Sequence, residues 1–464
     1  MFKASFLLIY SFIFCISLHP QSEDEKIIVI GDSLIGKFVD GESVREVNGN
    51  VRLSQGNVLV TCNKAIQYLA RNEAELIGNV IAVQDSLTLK TEIGYYFGNL
   101  RKTKSISGII LDDTEVVLSA DSGEYYFDEA RAFFQTNVKL VDSTTTLIAN
   151  ELTYFKQLDK SIAIGNVNIN DRDNIIIADT LIHHRKNKFS IADGNVSIKN
   201  LEDNLTIFGE HLEDDGQLKY TLINKNPLLM QVDTTFSTEE DSIDKFSIDT
   251  LLIKSEIMES FRSGTNVFKA TDSVKILRGG FASVNDLTTY YRDEEKIVTD
   301  KIADDASRPV LWYESSQLTG DSITIYLEDG QIKNLLVNNN SFMLSQNKNF
   351  DQRFDQTSSD SVHLYFFNNR LERAEFAGKV QSIYYLYDEE AANGLVKSTA
   401  HSATIVFKDN EVDQVRLFGS PTSEYHPENK VEGLERTFTL PKFVLKENRP
   451  HKIDFLMNQQ AEDE

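Results

Sequence analysis

Apolar and polar residues alternate along most of the chain. Val167 and Ile169, Ile175 and Ile177, Phe189 and Ile191, and Val196 and Ile198 stand two apart, the period that sends one set of side chains to one face of a strand. Asn, Gly and Asp pairs separate these runs, and such residues accept the positive φ of hairpin turns. Beyond the first twenty residues, no stretch sustains the i, i+3, i+4, i+7 pattern of an amphipathic helix. The pattern predicts an all-β chain.

The alternation also repeats on a longer scale. Gly49-Asn50-Val51, Gly78-Asn79-Val80, Gly165-Asn166-Val167 and Gly194-Asn195-Val196 share one tripeptide at steps of 29, 87 and 29 residues. Thr136-Asn137-Val138 fills one missing register, and Ser107-Gly108-Ile109 fills the other with a slip of one. A second column, Asn63, Glu92, Asp121, Asn150 and Asp179, runs on the same period of 29. Tyr96, Tyr125, Tyr154 and His183 follow its last four members by four residues and read as an aromatic ladder. A 29-residue unit holds about three short strands, and stacked units bury a core that no unit forms alone.

The register weakens near Gly209. Asp233 to Asp249 is rich in Ser, Thr, Asp and Glu and reads as a loop or capping insertion. Similar strands then recur at 318–326, 359–365 and 400–407, each followed by a turn, at Asp329-Gly330, Asn368-Asn369 and Asp409-Asn410. The expected organisation is a repeat domain over 22–215, an acidic insertion over 216–260, a second, looser array over 261–420 and a frayed tail over 421–464.

Composition narrows the function. The 464 residues include 47 Lys and Arg against 71 Asp and Glu, a net charge of −24, which excludes the basic face that nucleic acid requires. Two cysteines build neither a zinc cluster nor a disulfide framework. Lys3, the apolar run Phe6 to Leu18 and the following break at His19-Pro20 form the pattern of a secretory signal peptide over residues 1–21. Cys15 lies within that run, which leaves Cys62 as the thiol of the exported chain.

Candidate chemistry is sparse. Gly31-Asp32-Ser33-Leu34 resembles the first block of GDSL-type esterases, with Asp360 and His363 as conceivable acid and base, but the helices that such a fold needs are missing. Gly31 to Lys37 mimics a phosphate-binding loop, yet Phe38 stands where Ser or Thr would ligate magnesium. His183 and His184 are neighbours on a strand and point to opposite faces, so they cannot chelate one metal ion. The Asp/Asn column reads as side chains that satisfy turn backbone, and Arg185 to Lys188 as a solvated basic turn. No catalytic residue, metal site or cofactor is expected.

The Gly-Asn-Val series, with Ala120-Asp121, Ala149-Asn150 and Ala178-Asp179 followed by aromatics, resembles the OstA-like lipopolysaccharide-transport family. That family includes the periplasmic bridge protein and the N-terminal domain of the outer-membrane lipopolysaccharide-assembly protein. The resemblance runs from about Lys26 to Gly209 and, more loosely, from Gly264 to Gly419. It implies an elongated antiparallel β-jellyroll, or β-taco, here as two arrays in tandem, in a periplasmic or outer-membrane-associated protein that is not an enzyme. It also implies lipopolysaccharide as ligand, other transport proteins including an outer-membrane barrel as partners, and head-to-tail self-association. The groove that would shield acyl chains is assigned to Val51, Val80, Val138, Leu140, Val167, Ile169, Ile177, Ile191, Val196 and Ile198, with the anionic headgroup outside. The alternative is an exported β-repeat scaffold that binds protein or glycan through its outer surface.

Overall fold

The computed structural model describes residues 26–456, except residues 173, 202–203, 238–244, 265, 304–305, 329–330, 348, 368–369, 389–390 and 409–410. The expected signal peptide and the three turns at 329–330, 368–369 and 409–410 lie outside the described residues. Two compact units divide the chain between Thr136 and Asn137, within the strand Arg131–Val141. Both are built from antiparallel strands, as the alternation predicts.

The 29-residue unit consists of two long strands, where three short ones were expected. Lys160–Asn170 pairs with Asn174–His184, and the next strand, Phe189–Asn200, begins 29 residues after the first. Each first strand of a unit is bent at its Gly-Asn pair. The ladder steps from Ile164 to Val167 while the partner strand advances only from Thr180 to Ala178, so one residue is extra. The same step occurs at Asn48/Val51, Ile77/Val80 and Asp193/Val196. A bulge of this kind bends the strand and strengthens its twist. The half-strands before each Gly-Asn form a first arm, those after it a second arm, and the bulges form the crease.

Backbone geometry explains why Gly and Asn recur. Gly165 and Asn166 have φ of 76° and 49°, and Gly78 and Asn79 have 78° and 51°. Both positions are left-handed, where residues with a Cβ are strained. At the first position a Cβ would stand 2.6 Å from the side-chain amide of Asn63 (at Gly78) or of Asn150 (at Gly165), so glycine is required twice over. At the second, asparagine tolerates the left-handed region and its amide reaches the facing group: Asn50 Nδ2 donates to Asp32 Oδ2 at 2.9 Å, and Asn195 Nδ2 to Asp179 Oδ2 at 2.9 Å. The two sequence columns share a period because they meet at the crease.

The crease recurs later in the second unit with other residues. Asp272-Ser273, Asn339-Asn340 and Gly378-Lys379 are left-handed pairs at ladder steps, and Asn340 Nδ2 donates to Asp321 Oδ2 at 2.8 Å. The acidic segment 216–260 is largely strand: Tyr220–Asn224, Leu228–Ser237, Lys245–Lys254 and Ile257–Phe261, with the middle two paired as a hairpin. Its polar composition hid Leu228 to Met230 and Leu251 to Ile253, which supply the apolar positions.

Over residues 422–456 the C-terminal segment is a strap and not a frayed tail, and residues 457–464 lie outside the described residues. Thr422–His426 pairs with Leu395 to Thr399, and the chain then runs back over the outer face of the second arm. Gln356 donates to Phe438 O at 3.0 Å and accepts from Leu440 N, Gln317 donates to Val444 O and accepts from Lys446 N, and Lys275 meets Asp454 at 3.1 Å. Val431, Leu440 and Phe455 are buried, and Leu344 and Ile383 of the sheet lie in one cluster with the first two. The root is Arg353, buried and paired with Glu428 at 2.5 Å and Glu435 at 3.3 Å. A strap has no period, so alternation in sequence does not reveal it.

Two outcomes test this architecture. Gly165→Ala is expected to lower stability by about 2–3 kcal/mol in chemical denaturation, whereas Gly36→Ala, at an open position without positive φ, changes it by less than about 0.5 kcal/mol. Arg353→Leu leaves two carboxylates unpaired and is expected to cost about 3 kcal/mol at the strap root, read as faster tryptic cleavage after Lys430 to Lys446. Acid acts in the same direction. The Arg353 guanidinium holds the Glu428 carboxyl below its ordinary value of 4.5, so the pairing is complete above that pH and is lost as pH falls through the lower folded value.

Candidate functional site

Cross-strand rows line the inner faces of the two arms. In the second unit the first arm carries Leu152, Ala163, Leu181, Ala192 and Leu212 in one hydrogen-bonded row, all buried. The second arm carries Leu147, Ile169, Ile176, Ile198, Ile207, Leu229 and Ile253. Further along, Leu229 and Ile253 pack against Met258, Phe268 and Ala270 of the first arm, so the inner faces oppose each other. Leu147, Leu229 and Ile253 are buried, but Ile169, Ile176, Ile198 and Ile207 between them are only half-buried. Four consecutive strands thus present inward isoleucines that are only half-buried. This rail is the candidate groove.

The ten residues read from the sequence fall into three places. Val138, Val167 and Val196 follow the crease directly and are buried, and Val51 and Val80 hold the same position in the first unit. Leu140, Ile169 and Ile198, two residues further on, stand at the rail position. Ile177 and Ile191 face the other way. Ile177 pairs with Asn168 and Ser197, next to the buried Ala178, and is 45% exposed. Ile191 pairs with Ile182 and Glu213, next to the buried row through Ala192. Three consecutive isoleucines, Ile175 to Ile177, leave the facing of that strand undetermined by alternation. Near the crease the arms close on alanine, Ala163 and Ala192, so the bulkier Ile191 belongs outside. Ile176 and Ile207 went unassigned; the signal that finds them is cross-strand register, which alternation within one strand lacks.

The first unit is closed. Its inner rows, Val47, Ala65, Leu76 and Phe134 on one arm and Leu53, Val60, Leu89, Leu111 and Leu118 on the other, are buried throughout. Hydrogen bonds stitch its mouth: Tyr96 Oη donates to Gln55 Oε1 at 2.8 Å, Gln55 Nε2 to Gly98 O at 3.1 Å, and Gln67 Nε2 to Ile27 O at 3.0 Å. Burial pushes the Tyr96 hydroxyl up to about 12, so it remains a neutral donor. Tyr96 and Tyr125 share one inner row but are separated by Thr103, and the Phe127 ring bridges them at centroid distances of 6.0 and 5.1 Å. The tyrosine column is therefore an alternation of rings with small polar residues, which continues in the second unit as Tyr154, Ser161 and His183.

The remaining motifs take local structural roles. Asp32 caps the crease at Asn50, and Ser33–Val39 is an exposed strand where a phosphate-binding loop would need a helix. Asp360 packs against Gly378, and His363 lies between Asn334 at 3.2 Å and Tyr365 at 3.0 Å. His183 and His184 pair with Ser161 and Lys160 and point to opposite faces. Arg185 in the basic turn meets Asp159 at 2.5 Å.

No curated protein matches the chain. Over residues 24–179, which carry the Gly-Asn creases from Gly49 to Gly165 and the facing column from Asn63 to Asp179, the chain matches the family model described as OstA-like protein.

Proposed function

We propose that the protein is a non-enzymatic periplasmic carrier of lipopolysaccharide, which shields acyl chains between its two arms on the way to the outer membrane. The observation that carries this reading is the half-buried isoleucine rail, Ile169, Ile176, Ile198 and Ile207, whose first two members lie within the residues that match the OstA-like model. Burying a methylene is worth about 0.8 kcal/mol, so exposing a 14-carbon chain to water costs on the order of 10 kcal/mol. A row that offers a similar side chain on each strand stabilises a chain nearly equally at every step along the arm. The rail's own exposed hydrocarbon is an unfavourable surface until a ligand covers it.

Edge strands support docking of other transport proteins, among them an outer-membrane barrel, or of a second copy. In the first unit Ser33–Val39 is exposed along its whole length and presents Leu34, Ile35 and Phe38. In the second unit the last strands present Val415, Phe418 and Tyr425. Unpaired edges of this kind accept an added strand.

Photo-crosslinking amino acids placed at Ile176, Ile177 and Ile198 test the reading in cells. Lipopolysaccharide adducts are expected at 176 and 198 and not at 177, whose side chain leaves the opposite face of the same strand. Adducts with protein or glycan at 177, and none inside, would favour a scaffold that binds through its outer surface.

A further inference from the structure

The inner row of the first arm nearest the mouth is not apolar where the rail is open. From Ser161 the row runs through His183, Ser190, Asp214 and Thr221, and it becomes aromatic again at Phe268. Inward polar groups are costly unless they are satisfied. Part of this demand is met within the wall. His183 Nδ1 and Ser190 Oγ lie 3.0 Å apart, Thr221 Oγ1 donates to Asp214 Oδ1 at 2.6 Å, and Arg262 reaches both Asp214 and Thr221, at 2.9 and 2.7 Å.

The wall is close to neutral. Arg262 balances the Asp214 charge, and burial lowers the basicity of His183, which leaves the ring uncharged. The carboxylate that most opposes that burial effect is Asp142, in the turn Asp142 to Thr145 at the end of the second arm. What the wall offers a ligand is uncharged hydrogen-bonding capacity, chiefly the Ser161 hydroxyl and the second nitrogen of His183. It lacks the free positive charge that a phosphate would seek.

We propose that the groove is two-faced: the isoleucine rail takes hydrocarbon, and the Ser161–His183–Ser190 wall takes an uncharged hydrogen-bonding group, a hydroxyl or an amide, close to the head of the same chain. The site thereby selects hydroxylated or N-acylated lipids over plain fatty acids. This rests on the lipid reading given above.

The test is displacement of a fluorescent fatty acid from the full chain by myristic acid and by 3-hydroxymyristic acid, which share a carboxylate and differ by one hydroxyl. One added hydrogen bond predicts about 3- to 10-fold tighter binding of the hydroxylated acid. His183→Leu and, separately, Ser161→Ala are expected to bring the affinity of the hydroxylated acid down toward that of myristic acid. Ser161→Ala decides the matter if the histidine variant does not fold. Equal binding of both acids to the natural protein, or a preference undiminished by Ser161→Ala, overturns the two-faced groove and leaves the lipid reading standing. Binding of neither acid overturns both.

Discussion

Two consecutive left-handed residues in alternate strands hold the architecture together. At Gly165-Asn166 and Gly194-Asn195 the strand turns from one arm to the other, and the facing Asn150 or Asp179 fills the space left by the absent Cβ. Everything inward of the crease follows from that bend. It inserts one residue into the ladder, so the valine after it points inward, and it brings two faces of one strand pair into opposition. Without the bend, the same alternating strands would make a flat sheet with one greasy side open to water.

Whether the opposed arms enclose a solid core or a groove is decided at the mouth. In the first unit, long side chains do the closing: Gln55 and Gln67 bond to backbone carbonyls, and Tyr96, Tyr125 and Phe127 fill the space beneath. In the second unit, the position of Tyr96 and Tyr125 passes to Tyr154 and then His183, with Ser161 and Ser190 beside them. Shorter polar groups there leave Ile169, Ile176, Ile198 and Ile207 in partial contact with water. The scaffold is the same in both; a few rim residues separate a fully buried interior from a half-buried one.

The period, the all-β class and the buried valines after each crease were legible because the crease imposes a residue-level demand. A Cβ at Gly49, Gly78, Gly165 or Gly194 would meet the facing side chain, and a residue tolerant of positive φ must follow, so Gly-Asn recurs and the following valine is marked. Facing is less legible where the chain is apolar at every position, and Ile177 and Ile191 were placed inside although they lie outside. Later in the chain the crease is made by Asp272-Ser273 and Asn339-Asn340, which satisfy the same backbone without the tripeptide. The strap over 427–456 is held by scattered contacts, Arg353 to Glu428 and Gln356 to Phe438 among them, that leave no period at all.

The central claim is that the second unit's arms part to admit a hydrocarbon chain. Spin labels at Lys186 and Leu201, on turns that close the rims of the first and second arms, measure that separation directly by pulsed dipolar spectroscopy. Packed sheets lie about 10 Å apart, and inserting an acyl chain between them is expected to lengthen the label distance by roughly 3–5 Å when lipopolysaccharide is added. An unchanged distance distribution at saturating lipopolysaccharide would contradict the account.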